Sequence, residues 1–272
     1  MKDKYLFTNV NIVVDSNKLI LNGAIAFKDT IINIYHNLND KILKEYEGHI
    51  FNLKGLNIMP SFVNIIDNKD SKDLAKDACF AYISNNLEYH DDKYAHFLGY
   101  HLDDIKNDQT IMIDNFDNQN QDVIKVLNHS DLYYDDLINY DFDVIYDLYH
   151  YKTGFDYLKP GVVNLAFDNR HYVILKIDDI HDEVLKFTLK TINKSKLIII
   201  NDKMSDVAKR LSNLNISFND IVAYTSQNLY QMLKMRNYGG LIKGKPSDFI
   251  IFDDDFNIIF KIYGGKIIKC HS

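Results

Sequence analysis

The sequence predicts an α/β protein: a (β/α)8 barrel with some helices reduced or absent, joined to a small β-sandwich built from both chain termini. Three observations carry that prediction. Both ends of the chain are runs of β-branched and aromatic residues broken by turn formers. The middle alternates short, near-continuous apolar runs with amphipathic stretches, the pattern of a parallel sheet covered on both faces. Those runs number eight in a chain of 272 residues, which matches the strand count and usual length of such a barrel.

At the N-terminal end the strand-like runs are Tyr5-Leu6-Phe7, Val10–Val14, Leu19–Leu21, Ala24–Phe27 and Ile31–Ile34. Asp15-Ser16-Asn17 and Asn22-Gly23 read as turns between them. The C-terminal end repeats the style. Phe249–Phe252 is followed by Asp253-Asp254-Asp255, then Ile258–Tyr263, Gly264-Gly265 and Lys266–Ile268. Hairpins this short are marginal alone. Neither end has a helix to pack on, so pairing the two ends is the economical solution. The expected sandwich covers 1–56 and 244–272, and the expected barrel covers 57–243.

The eight barrel candidates are Phe62–Ile66, Cys79–Ile83, Phe97–Leu102, Thr110–Ile113, Val126–His129, Val144–Tyr149, Tyr172–Ile177 and Leu197–Asp202. Connections between the second and fifth are short, so helices there must be reduced.

A net charge of -7 and the lack of any Lys/Arg cluster argue against nucleic acid as a partner. The first residues lack a signal-peptide core, and the longest apolar runs, such as Leu197–Ile200, fall far short of a membrane span. No membrane association and a cytoplasmic location are therefore expected. Cys79 and Cys270 are too few for a disulfide framework.

Polar residues gather at the ends of the barrel candidates. The third offers His101 and Asp103, the fifth His129, and the sixth Asp147 and His150. The seventh offers Asp178, Asp179 and His181, and the eighth Asp202. The carboxyl ends of barrel strands line the active face. Carboxylates and imidazoles converging there could hold a divalent cation that acidifies a bound water. The plainer reading is that an Asp at a strand end caps the next helix, and that His129 alone is a hydrogen-bonded core residue. His90, His96, His171 and His271 read as surface, and the tyrosines between Tyr133 and Tyr151 as packing. Only the joint placement at successive strand ends favours function.

Gly55-Leu56-Asn57-Ile58-Met59-Pro60-Ser61-Phe62-Val63-Asn64 resembles the barrel entry of the amidohydrolases, "G-x-x-(L/I/V)-x-P-G-(F/L)-(I/V)-D". Gly240–Asp253 resembles their closing motif, "G-x-(I/L)-x-x-G-x-x-A-D-(L/F)-(V/I)-V-(L/F)-D", and Thr225–Leu233 the helix before it. Within that family the chain is similar to the N-acetylglucosamine-6-phosphate deacetylases. Leu98–Asp104 resembles "L-G-x-H-L-E-G", Asn128–Asp131 "G-H-(T/S)-(D/N)" and Tyr146–Tyr151 "T-H-L-(Y/F)-N-A". Lys159–Val162 resembles "E-P-G-(V/L)", Asp178–His181 "A-D-G-(I/L)-H" and Ile199–Asp202 "(L/V)-(V/I)-T-D".

The resemblance implies a site residue by residue. The metal-binding Glu falls on Asp103, the first metal His on His129 and the second on Asp147. The catalytic Asp falls on Asp202 and the substrate-contacting His on His181. Of the "H-x-H" pair on the first strand neither imidazole remains, but Asn68 stands where single-metal members keep an Asn. The Asn of "H-L-Y-N-A" becomes His150, and the phosphate-contacting Arg becomes Leu158.

The implied activity is metal-dependent removal of the acetyl group from N-acetylglucosamine-6-phosphate or a related N-acetylated amino sugar. One divalent ion is implied, Zn2+ or Mn2+/Fe2+, with an amino-sugar phosphate as partner and a homodimer as assembly. The alternative is a catalytically impaired relative of the same fold, or a sugar-phosphate-binding protein. The changes at positions 103, 147 and 158 favour that alternative, whereas the retained His129, His181 and Asp202 favour the enzyme.

Overall fold

The structure is a computed structural model. It describes residues 4–66, 79–84, 94–95, 98–106, 109–115, 126–127, 144–146, 166–167, 169–178, 180–232 and 238–269. The strands are β1 Tyr5–Val13, β2 Leu19–Phe27, β3 Ile31–Tyr35, β4 Ile50–Asn52, β5 Asn57–Pro60 and β6 Phe62–Ile66. They continue with β7 Cys79–Ser84, β8 Tyr94–Ala95, β9 Leu98–Lys106, β10 Gln109–Asn115, β11 Val126–Leu127 and β12 Val144–Tyr146. The last are β13 Tyr172–Lys176, β14 Leu197–Ile200, β15 Phe249–Phe252, β16 Ile258–Tyr263 and β17 Lys266–Lys269. The helices are α1 Asp40–Glu45, α2 Asp182–Thr191, α3 Met204–Asn213, α4 Phe218–Val222 and α5 Asn228–Met232, with a π-helical turn at Ala223–Gln227 before α5. Among the described residues no helix is long and apolar enough to cross a membrane.

The chain forms two compact units, Met1–Phe62 with Ala208–Ser272, and Val63–Val207. In the first, both chain ends belong to one eight-stranded sheet, ordered β17-β16-β15-β5-β1-β2-β3 with β4 also on β1. The two parallel partners of β1 share its length: Leu6–Thr8 faces β4, and Asn11-Ile12 faces β5. β15 pairs antiparallel with β5, from Phe249 opposite Pro60 to Phe252 opposite Asn57.

The sheet also returns on itself. Thr30 bridges Pro246. The Ile31 N–H donates to the Lys245 carbonyl (2.9 Å), Gly244 N–H to the Ile31 carbonyl (2.7 Å) and Ser247 N–H to the Asp29 carbonyl (3.0 Å). The segment leading into β15 is thereby held against the start of β3. The hydrogen bonds thus describe one continuous sheet built from both chain ends.

Alternation along the strands sorts two apolar faces. Phe7, Ile25, Phe27, Phe249 and Ile251 share one core. Edge-to-face contacts of Phe27 with Phe7 (4.8 Å between centroids) and with Phe249 (5.1 Å) join residues from both chain ends. Such pairs add about 0.5–1.5 kcal/mol each beyond area burial. Leu6, Ala24 and Ala26 face the other way, where Tyr46 and the α1 residues Ile42 and Leu43 cover them. Asn39 caps the start of α1, and its side chain accepts from the Ile42 N–H.

One expected turn is corrected. Asn22-Gly23 does not reverse the chain, and β2 runs straight through it. Asn9 (φ 52°) and Asn22 (φ 50°) both take the left-handed conformation, which Asn tolerates better than most residues. The register shifts there, with Thr8 opposite Ala24 but Val10 opposite Gly23 and Ile12 opposite Ile20. These are bulges that bend a long pair, and the Asn11 side chain accepts the Asn22 N–H (3.2 Å). The true reversal is at Asp15, whose Oδ1 accepts from the N–H groups of Asn17 and Lys18.

In the second unit all eight expected apolar runs contain strands, but their pairing is mixed. β11, β12, β13 and β14 are parallel in that order, with the short β8 antiparallel at the β11 edge. β9 is antiparallel to both β7 and β10 in a separate four-stranded sheet, β10-β9-β7-β6. That corrects the wholly parallel expectation. Only two residues, Asn107 and Asp108, separate β9 from β10, and a parallel crossover needs a dozen or more. No closed barrel is formed by the described residues.

The turn at Gly264 (φ 50°) and Gly265 (φ 77°) joins β16 to β17. Both signs are those of a type I′ hairpin, and Asp248 Oδ1 accepts the Gly264 N–H (2.8 Å). A Cβ at Gly265 would collide with the Lys28 carbonyl, whereas one at Gly264 meets nothing. Gly265→Ala should therefore destabilise by about 2–4 kcal/mol, and Gly264→Ala by about 1 kcal/mol or less. Denaturant titration of both variants checks this, and equal effects would refute the close approach.

Candidate functional site

The candidate site is built on β13 and β14. Val173, Ile174, Leu175 and Leu197–Ile200 are all buried, as strands covered on both faces must be. Their ladder ends at Lys176 opposite Ile200. Just past that end the chain turns polar and emerges. Asp202, two residues beyond β14, is exposed. His181, five residues beyond β13, is exposed as well. Because the strands are parallel, both residues follow the same edge of the sheet.

His181 also has a structural job. It is the N-cap of α2, and its Nδ1 accepts the Glu183 N–H (3.3 Å). An accepting Nδ1 carries no proton, so the ring proton of the neutral imidazole sits on Nε2. The capping tautomer therefore presents an N–H donor on its other side. α2 then packs through Leu185 and Thr188, and the Thr188 hydroxyl donates to the Val184 carbonyl (2.8 Å).

The other sequence-predicted residues fall differently. Asp103 lies within β9 rather than at a strand end. Leu102 faces Met112 and Asp104 faces Ile111, which leaves Asp103 as the extra residue of a bulge. His129 comes two residues after β11 in sequence, and Asp147 directly follows β12. His129, Asp147, His150 and Asn68 lie outside the described residues. Among the described residues there is no cluster of three or more His, Cys, Asp or Glu that could hold a metal ion.

One residue of this neighbourhood was not singled out by its sequence. Asn64 is polar in the otherwise apolar run Phe62–Ile66 and is only 1% exposed. Its Nδ2 donates to the Asn201 carbonyl (2.9 Å), and its Oδ1 accepts the Ile65 N–H (2.8 Å). The available signal was a buried amide in a strand, which must find partners. The bond links β6, the end strand of one sheet, to the chain leaving β14, the end strand of the other.

No protein-family model matches the chain, and no curated protein does. Solved structures do. The N-acetylglucosamine-6-phosphate deacetylase of Pasteurella multocida matches with a TM-score of 0.72 at 12% identity, over 98% of this chain and 100% of that one. The N-acetyl-D-glucosamine-6-phosphate deacetylase of Mycobacterium smegmatis matches with a TM-score of 0.73 at 11% identity, over 97% and 99%. An enamidase of the amidohydrolase superfamily matches with a TM-score of 0.65 at 12% identity, over 97% and 95%. The fold of the chain resembles those of these deacetylases and of the enamidase over nearly its whole length.

The cap at His181 makes a stability prediction that is independent of chemistry. His181→Ala should cost about 0.5–2 kcal/mol, whereas His181→Asn, a strong N-cap residue, should stay within about 0.5 kcal/mol of the parent. Equilibrium unfolding of the two variants decides it, and equal losses would count against the cap.

Proposed function

We propose that this protein is a metal-dependent hydrolase that removes the acetyl group from N-acetylglucosamine-6-phosphate or a related N-acetylated amino sugar. The observation that supports it is the exposed Asp202 just past the buried, parallel β14, in a fold resembling deacetylases from end to end. A carboxylate at the carboxyl end of a barrel-type strand is where catalysis is expected. In this reading β6 and β14 are the first and last strands of a closed barrel, with the Asn64–Asn201 bond across the seam.

Asp103, His129 and Asp147 would hold one divalent ion, an oxygen-rich donor set that suits Mn2+ or Fe2+ as well as Zn2+. The chemistry such an ion would supply there, when bound, is Lewis acidity. Asp202 takes the proton from the attacking water and passes it to the leaving amine. His181 donates from Nε2 to the carbonyl oxygen as negative charge develops there. His150 and Asn68 contribute to sugar binding.

Protein purified without chelator should carry about one metal ion per chain and release acetate from N-acetylglucosamine-6-phosphate. Asp202→Asn should lower kcat by roughly 10²–10⁴-fold with metal content unchanged. His181→Asn should lower kcat by roughly 10²-fold although its stability is kept. Absence of both bound metal and acetate release after addition of Zn2+, Mn2+ or Fe2+ would assign the chain to the non-catalytic alternative.

A further inference from the structure

We infer that Asn64 is a positioning residue, whose buried amide clamps the peptide between Asn201 and Asp202 and so sets where the Asp202 carboxylate stands. The inference rests on the catalytic role proposed for Asp202.

The argument begins where β14 ends. Ile200 makes the last ladder pair, and its carbonyl accepts the Ile177 N–H (3.3 Å). Beyond it the backbone has left the sheet, so other groups must hold it. The Asn201 carbonyl accepts from Asn64 Nδ2 (2.9 Å), and the Asp202 N–H donates to the Asn201 side-chain Oδ1. Those two groups are the C=O and N–H of one peptide unit. A peptide unit is planar, so fixing both its polar groups fixes its orientation, and with it the Cα of Asp202. Asn64 is itself held, because its Oδ1 accepts the Ile65 N–H (2.8 Å) and its side chain is buried. Small displacements of a reacting group are costly, up to about 10²-fold in rate for 1 Å.

The identity of residue 64 matters for a simple reason. An Asn offers a donor to the Asn201 carbonyl, whereas an ionised Asp offers only acceptors. The amidohydrolase entry pattern that Gly55–Asn64 resembles carries Asp at this position, and an ionised Asp would lack this donor. Asn64→Asp thus removes the clamp with almost no change of shape. Protonation restores it, because a neutral carboxyl has an O–H to donate.

The test compares Asn64→Ala and Asn64→Asp with Asn57→Ala. Asn57 is a control that is also buried, with its Nδ2 donating to Asp254 in the terminal sheet (3.0 Å). Two quantities are measured: amide exchange at Asp202, and kcat and KM for acetate release from N-acetylglucosamine-6-phosphate. In both Asn64 variants, exchange at Asp202 should speed up about tenfold or more. Their kcat should fall by roughly 10–100-fold with KM within about threefold. In Asn64→Asp, protection at Asp202 should recover below about pH 5, as the buried carboxyl gains its proton. Asn57→Ala should lower the melting temperature and leave exchange at Asp202 and kcat alone. Unchanged exchange at Asp202 in Asn64→Asp would overturn the clamp, and so would an equal loss of kcat in Asn57→Ala. If the unmodified protein releases no acetate, the proposed function fails. Exchange at Asp202 and its recovery with pH then still decide whether Asn64 holds that peptide.

Discussion

Everything in the terminal unit depends on β5, a strand of four buried residues with one chain end on each side of it. Its parallel bonds to β1 bind the N-terminal strands, and its antiparallel bonds to β15 bind the C-terminal ones. β5 thereby places the three C-terminal strands and the N-terminal strands in one ladder. The Phe27–Phe249 contact joins the ends as well, beside the bonds that tie residues 29–31 to 244–247. The position of Pro60 is consistent with this role. Proline cannot donate to a ladder, and here it lies at the last pair of β5, opposite Phe249.

A second constraint is that both faces of the terminal sheet are buried. One face folds onto itself through the bulges at Asn9 and Asn22 and the bonds between residues 29–31 and 244–247. The other is covered by α1 and Tyr46, and the burial of Tyr46 pushes its phenol well above the ordinary tyrosine range. The close approach of Gly265 to Lys28 belongs to the first face. A residue with a side chain there would hold the hairpin away from the turn and open the core beneath it.

The sequence made these ends legible because turn residues at their borders, Asp15 and Gly264-Gly265, do in space what their chemistry suggests. Asn22-Gly23 misled because the same backbone preference serves a hairpin or a bulge. What decides between them is the long-range partner, which is invisible locally. The same limit applies to β9 and β10. Their apolar runs announced strands, but direction depended on the two-residue connection more than on the runs. For the site, Asp202 and His181 were readable as polar residues following buried strands. Asn64 was not, because its partner is a backbone carbonyl 137 positions away in sequence, and no side-chain pattern records a carbonyl.

At the ends of β13 and β14, side chains complete hydrogen bonds that the backbone leaves open. His181 uses Nδ1 to satisfy a helix N–H that would otherwise lack a partner, and that bond decides which nitrogen keeps the ring proton. The imidazole is thereby oriented before any substrate arrives. Asn201 works similarly: its carbonyl takes the Asn64 donor, while its side chain takes the next backbone N–H. In both cases a group needed for folding also removes freedom from a neighbour suited to chemistry. Preorganisation of this kind lowers the reorganisation needed during reaction. Under the proposed roles, substitutions at Asn64 and His181 would act through different variables, one through the direction of a carboxylate and the other through the placement of a proton.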